Sequence, residues 1–191
     1  MANQSSTGFG LRPLRKVGQN DDNAGLSEWK KASGSAAINH HELVQLLSTG
    51  YVLSAAAGGP SLLGSLNGSF YTAPTTLKPT WSNYAPSVVA SDHTCLINDD
   101  PYQMYEMMTA LTNYTDPGNA GSTADIVATA GSGSPNYISG FTLGTASVDA
   151  DVQMKVIGLT RDTLSQDVSV AGSVWRCMVN EHILGSGSLG I

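Results

Sequence analysis

From residue 42 to residue 184 the chain is a succession of short apolar runs, each closed off by turn residues, and this punctuation constrains the fold more than any other feature. Glu42 to Leu47 and Tyr51 to Ala56 flank Ser48-Thr49-Gly50. Leu62 to Leu66 and Ser69 to Thr72 flank Asn67-Gly68, a pair that accepts the positive φ values of a tight hairpin turn and so predicts a hairpin there. Pro74, Pro79 and Pro86 break up residues 73–87, which read as a surface loop carrying Trp81 and Tyr84. His93 to Asn98 and Gln103 to Thr109 read as strands around a corner started by Asp99, Asp100 and Pro101. Residues 115–136 are mostly turn-forming around one apolar patch, Ala124 to Ala130, where β-branched residues leave helix and strand both open. Tyr137 to Leu143, Val152 to Thr160 and Ser173 to Leu184 are the last predicted strands, and Val152 to Val156 alternates cleanly between apolar and polar. About eight short strands at regular spacing predict an all-β fold, a sandwich or barrel of antiparallel strands.

Residues 1–37 follow a different pattern. They are rich in Gly and hold no sustained period, yet Phe9, Leu11, Leu14, Val17, Leu26 and Trp29 are spread through them. Alone, such a segment buries too little apolar surface to offset its chain entropy. It reads as an extended N-terminal arm that gains order on a neighbour, or that lies across its own domain. The predicted organisation is therefore an arm at 1–37, a β domain at 38–184 and a flexible tail at 185–191.

Charge sharpens that division. Residues 1–31 hold five cations against three acids, a net of +2, while the rest of the chain holds four cations against twelve acids, a net of −8. An acidic body repels phosphates, so nucleic acid is not an expected partner, and the basic arm suits an acidic protein surface. Charged residues make up only 13% of the 191, as suits small strands joined by many turns. No run approaches the roughly 20 apolar residues of a membrane helix, and the polar start reads against a secretory leader. Synthesis in a reducing cytoplasm leaves Cys95 and Cys177, each inside an apolar run, as buried thiols.

The search for chemistry yields little. His40-His41-Glu42 is the most suggestive cluster, but adjacent strand residues point to opposite faces and cannot both ligate one ion. Neither H-x-x-x-H nor C-x-x-C spacing occurs, so these three read as solvated polar residues at a strand start. Asp92, His93, Asp99 and Asp100 lack a nucleophile set on a sharp elbow, since Leu63-Gly64-Ser65-Leu66-Asn67-Gly68 departs from G-x-S-x-G. Asp99 and Asp100 are better read as turn caps before Pro101. No cofactor, metal or small-molecule substrate is implied, and the chain is not expected to be an enzyme. Tyr71, Trp81 and Tyr84 could form a platform for sugar or for protein, since exposed aromatics serve both.

Several segments resemble a known family. Met1-Ala2-Asn3-Gln4 followed by Thr7-Gly8-Phe9-Gly10-Leu11-Arg12 looks like the start of the capsid decoration, or cement, proteins of tailed phages, especially marine ones. Leu63 to Tyr71, Lys78 to Tyr84, Asn98 to Pro101 with Tyr105-Glu106, and Val179 to His182 are similar too. The resemblance implies a virion structural protein at the capsid surface, made in the host cytoplasm, whose partner is the major capsid protein and which forms homo-oligomers on the shell. It implies an arm, through Phe9, Leu11, Arg12, Leu14, Arg15, Lys16 and Trp29, that bridges capsid subunits, with Trp81 and Tyr84 as a contact loop. A tail or fibre-base component, or a carbohydrate-binding module using Trp81 and Tyr84, are the alternatives.

Overall fold

The computed structural model describes residues 3, 7–17 and 25–185. In chain order the first six strands are β1 (Arg12–Lys16), β2 (Ser27–Lys31), β3 (Leu43–Leu46), β4 (Tyr51–Ser54), β5 (Leu62–Thr72) and β6 (Pro79–Ser82). They are followed by β7 (Thr94–Asn98), β8 (Gln103–Met108), β9 (Thr123–Val127), β10 (Thr142–Ser147), β11 (Met154–Leu159) and β12 (Val174–Val179). One sheet has the order β1-β8-β12-β11-β9-β10 and the other β3-β4-β2-β7-β5-β6. The two pack together as an all-β sandwich, mostly antiparallel, with β2 and β4 as a parallel pair.

The second sheet closes on itself. β3 pairs with β5 as well as with β4, so β3, β4, β2, β7 and β5 form a ring, with β6 attached to the outer half of β5. Ile38, Val44, Leu46, Val52, Leu63, Leu66, Cys95 and Ile97 fill its interior. The other core lies against the first sheet, where Tyr105, Met107, Ile126, Leu143, Met154, Val156, Trp175 and Cys177 meet Leu11, Leu43 and Leu62.

β3 and the first half of β5 therefore stand between the two cores. Alternate strand residues point to opposite faces. Leu43 and Leu62 thus serve one core and Val44, Leu46 and Leu63 the other, which Leu66 also joins because the register shifts between Leu62 and Gly64. This is why Leu62 to Leu66 shows no polar alternation: both faces are buried. By contrast β11 alternates, with Met154 and Val156 buried and Lys155 and Ile157 further out.

The wall is also where backbones crowd. Gly64 has φ +147°, and a Cβ there would lie 1.9 Å from the Asn98 carbonyl oxygen. That carbonyl accepts a 2.8 Å hydrogen bond from the buried Tyr105 hydroxyl, tying β7 to β8 across the two sheets.

Several sequence expectations are corrected. Asn67-Gly68 is not a hairpin turn but the middle of β5, at a register shift between Leu66 and Gly68. Its glycine answers a close approach rather than a turn, because a Cβ there would meet the Trp81 ring at 2.6 Å. The hairpin lies further on, where Ala73 N–H bonds the Lys78 carbonyl, and β6 runs through the segment read as a loop. The first part of the 124–130 patch is strand β9, which ends at Val127, and the strand expected at 137–143 starts later, as β10. Residues 12–16 and 27–31, expected in a separate arm, are strands of the two sheets, with β1 bonded to β8 and β2 to β7. Cys95 and Cys177 are buried thiols in different cores. The predicted tail lies outside the described residues beyond Gly185.

Gly64→Ala should lower stability by about 3–4 kcal/mol, since a Cβ would overlap the Asn98 carbonyl in a backbone conformation that side chains resist. Urea denaturation followed by tryptophan fluorescence would measure it, and a loss under about 1 kcal/mol would contradict the crowding at this joint.

Candidate functional site

Gly10 to Arg12, Ser65 and Glu106 meet near the seam between the sheets. Gly10, at φ +72°, lets the chain pass so close that a Cβ would come within 2.1 Å of the His41 carbonyl oxygen. Leu11 N–H then donates to that carbonyl at 2.7 Å, and the Leu11 carbonyl accepts from the Ser65 hydroxyl at 2.6 Å. Arg12 pairs with Glu106, whose other carboxylate oxygen accepts from the Thr160 hydroxyl at 2.5 Å. Lys16 meets Asp100 at 2.9 Å. His182 is nearly buried and bridges to Leu62. The Leu11 contacts join the two sheets, while the Arg12 pair braces β1 against β8 within one of them.

The expected contact residues separate into those that are spent internally and those that remain at the surface. Leu11 is wholly buried in the core between the sheets, so it anchors the N-terminal segment and offers nothing to a partner. Trp29 packs against the ring interior and donates its indole N–H to Asp99 at 2.9 Å. Asp99 also accepts from Ser27 at 2.8 Å, so it clips β2 to the end of β7. Asp100 is the turn cap expected, accepting from the Tyr102 N–H at 2.8 Å. Leu14, Arg15 and Lys16 are half-buried along β1, and Phe9 lies 5.1 Å from the guanidinium of Arg12, in cation–π geometry. Tyr84 stacks on Tyr137 with ring centroids 3.7 Å apart, and burial, together with the Tyr137 hydrogen bond, pushes its hydroxyl up to about 12.

Trp81 stays open, 54% exposed, with its ring laid against Gly68. The strand register places it at the end of a row that the sequence did not reveal. Tyr51 of β4 pairs with Lys30 of β2, Lys30 with Thr94 of β7, Thr94 with Phe70 of β5, and Phe70 with Trp81 of β6. Directly paired residues share a face, so these five side chains cross the outside of the second sheet in one line. Phe70 is 46% exposed, and Lys30 donates to the Thr94 hydroxyl at 2.9 Å. Only the period-2 face of Phe70 and Trp81 could have hinted at this, since the register is set by pairings distant in sequence.

His40 and His41 are closer together than adjacent strand residues should be. His41 has φ 62°, which breaks the extended geometry, and the two rings lie with centroids 3.8 Å apart, tilted by 30°. Glu42 turns away and accepts from the Asn39 backbone and side chain. Among the described residues no group of three or more His, Cys, Asp or Glu is placed to hold a metal ion. The two histidines instead line an open cleft of about 560 Å³ with Phe9, Arg12, Thr160 and Asp162. A second, more apolar cavity of about 730 Å³ runs beneath Gly8 and Phe9, along Met108, Leu111, Val127 and Ile138.

No protein-family model, curated protein or solved structure matches the chain. The geometry has to stand on its own. Among the described residues no helix is long and apolar enough to cross a membrane.

His93 adds an electrostatic constraint. It is wholly buried beside Tyr71 and Lys31, and neither ring nitrogen has a hydrogen-bond partner among the described residues. Burial, then the Lys31 charge, pulls it down to about 4. His41 is also lowered to about 4, by burial first and then by His40 and Arg12. Unfolded histidine titrates near 6.5, so between pH 6.5 and 4 the unfolded chain binds more protons and stability falls as pH falls. The folded state should thus be at full strength above pH 6.5 and weaken toward pH 4, with about 2–3 kcal/mol traceable to His93. Denaturation midpoints across that window would test this, because His93→Gln should flatten the pH slope. An unchanged slope would remove His93 from the account.

Proposed function

We propose that this protein is a non-catalytic virion component that decorates a phage capsid, docking on major capsid subunits through the outer face of the ring sheet. The observation that carries this reading is the exposed row Tyr51–Lys30–Thr94–Phe70–Trp81, which presents two large aromatic faces side by side. Aromatic anchors of this kind dominate protein interfaces, because they supply large rigid area at small entropic cost. The resemblance of the Leu63 to Tyr71 and Lys78 to Tyr84 segments supports it from another side, as they form the β5–β6 hairpin that carries Phe70 and Trp81.

The N-terminal segment takes a revised part in this mechanism. With Leu11 locked in the core and β1 bonded to β8, the segment acts from within the fold, displaying Arg12, Arg15 and Lys16 along one edge of the first sheet. Arg12 and Lys16 are paired with Glu106 and Asp100, so Arg15 is the cation this edge brings to an acidic shell, while the aromatic row supplies apolar burial. Each contact can be weak because many copies act on one particle.

A second reading has its own observation. An exposed indole set against a glycine of the neighbouring strand is also a surface for a sugar ring, which a carbohydrate-binding module would use. A glycan-array signal that disappears in Trp81→Ala would favour it.

Quantitative mass spectrometry of purified particles should find this chain on the order of hundreds of copies per particle beside the major capsid protein. Trp81→Ala and Phe70→Ala should each weaken binding to undecorated shells about tenfold or more, with unchanged circular dichroism. A handful of copies per particle would point to the tail, and absence from particles would overturn the virion reading.

A further inference from the structure

Two basic side chains face each other at one end of the ring interior. Lys31 ends β2, and its backbone N–H donates to the His93 carbonyl at 3.1 Å just before β7 begins. This continues the β2–β7 register, in which Lys30 pairs with Thr94 and Trp29 with Cys95. Lys31 and His93 are therefore cross-strand neighbours on the face that Trp29 and Cys95 turn to the ring core. Lys31 is 2% exposed and His93 not at all. The Lys31 ammonium donates to the carbonyls of Ser35 at 2.9 Å and Pro86 at 3.3 Å, and no carboxylate among the described residues pairs with it. Those bonds draw the loops after β2 and before β7 together, as does Gly34 N–H on the Val88 carbonyl at 2.9 Å.

The groups that face His93 are Lys31 from β2, Tyr71 from β5, with ring centroids 5.0 Å apart, and Asp92 beside it. Cys95 lies further along the same face of β7, and burial pushes its thiol up to about 12, so it stays neutral. Asp92 is exposed and committed to Thr72, whose N–H and hydroxyl donate to it at 3.0 and 2.6 Å.

We infer that the Lys31–His93 pair is an acid-sensitive latch that keeps the outer aromatic row in register. The row lies one residue from the pair on each strand: Lys30 precedes Lys31, Thr94 follows His93, and Phe70 precedes Tyr71. β2 stops at Lys31, β7 starts at Thr94 and β5 stops at Thr72, so this end can open while both cores stay folded. A proton on His93 sets two cations side by side in an apolar interior, and parting the strand ends lets both reach water. An opened histidine titrates near 6.5 and the closed one at about 4, so opening takes up a proton and grows easier as pH falls. The consequence rests on the docking reading: copies docked through this row let go in acid.

Hydrogen exchange tests the latch on the isolated protein, and shell binding tests its consequence. Corrected for the intrinsic pH dependence of exchange, the Lys31 amide should lose about twentyfold of its protection from pH 7 to pH 5, while the amides of β12 keep theirs. His93→Gln should abolish that loss. Lys31→Met should shrink it, because burial alone then lowers His93, and this second variant serves if the first folds poorly. An equal loss in β12, or an undiminished loss in both variants, would overturn the latch. Binding to undecorated shells should weaken about tenfold from pH 7 to pH 5 in the wild type and hold steady in His93→Gln. Equal weakening in both would overturn the coupling to the row. A protein that binds no shells at pH 7 would remove the docking reading and leave the latch to the exchange result.

Discussion

The fold depends on one wall. β3 and the first half of β5 are buried on both faces, and every apolar residue in them works for one of two cores. Five of these residues, Leu43, Val44, Leu62, Leu63 and Leu66, have no exposed surface at all. Each contributes on the order of 1.5–3 kcal/mol through burial. The remaining strands are arranged around that wall, because a ring can close only where β3 finds β5, and the first sheet can pack only where Leu43 and Leu62 project from the ring. Gly64 and the Asn98–Tyr105 bond sit at the same place, so crowding and packing reinforce one another.

The strand content was legible because each strand is short, apolar on at least one face and closed by turn residues. β3, β4, β7, β8, β11 and β12 all begin within two residues of where their apolar runs begin. The failures have a shared cause. Asn67-Gly68 has the chemistry of a turn, but tertiary contact decides its use: a tryptophan from β6 needs a bare backbone to lie on, and the strand simply continues. The N-terminal segment was misplaced for a similar reason. Its apolar residues are too sparse to show a period, yet Leu11 is completely buried, since a single side chain can be anchored by non-local neighbours that no local pattern records.

The candidate surfaces were legible only in part. Trp81 stood out as an aromatic in a polar segment, and it is indeed open. Its companions in the row, Tyr51, Lys30, Thr94 and Phe70, come from four other strands, and pairing register alone aligns them. The histidine pair was discounted on sound strand geometry, which fails at His41 because its backbone leaves the extended region. The seam, by contrast, is fixed by Gly10 and Leu11, which join the sheets through His41 and Ser65, while Arg12 pairs with Glu106 within the first sheet.

The placement of two prolines bears on how such a molecule can live at high density. Pro13 lies in β1 and Pro79 in β6, the outermost strands on one side of each sheet, and the ring closure leaves no margin between β3 and β5. On the far side of the first sheet, β10 bends back so that Leu143 bridges Thr109. Rows of unpaired amides are the usual template by which crowded β proteins zip into fibres, and a missing N–H interrupts that template. A chain guarded in this way meets its neighbours with side chains rather than backbone, so many copies can be concentrated on one surface and each keep its own fold.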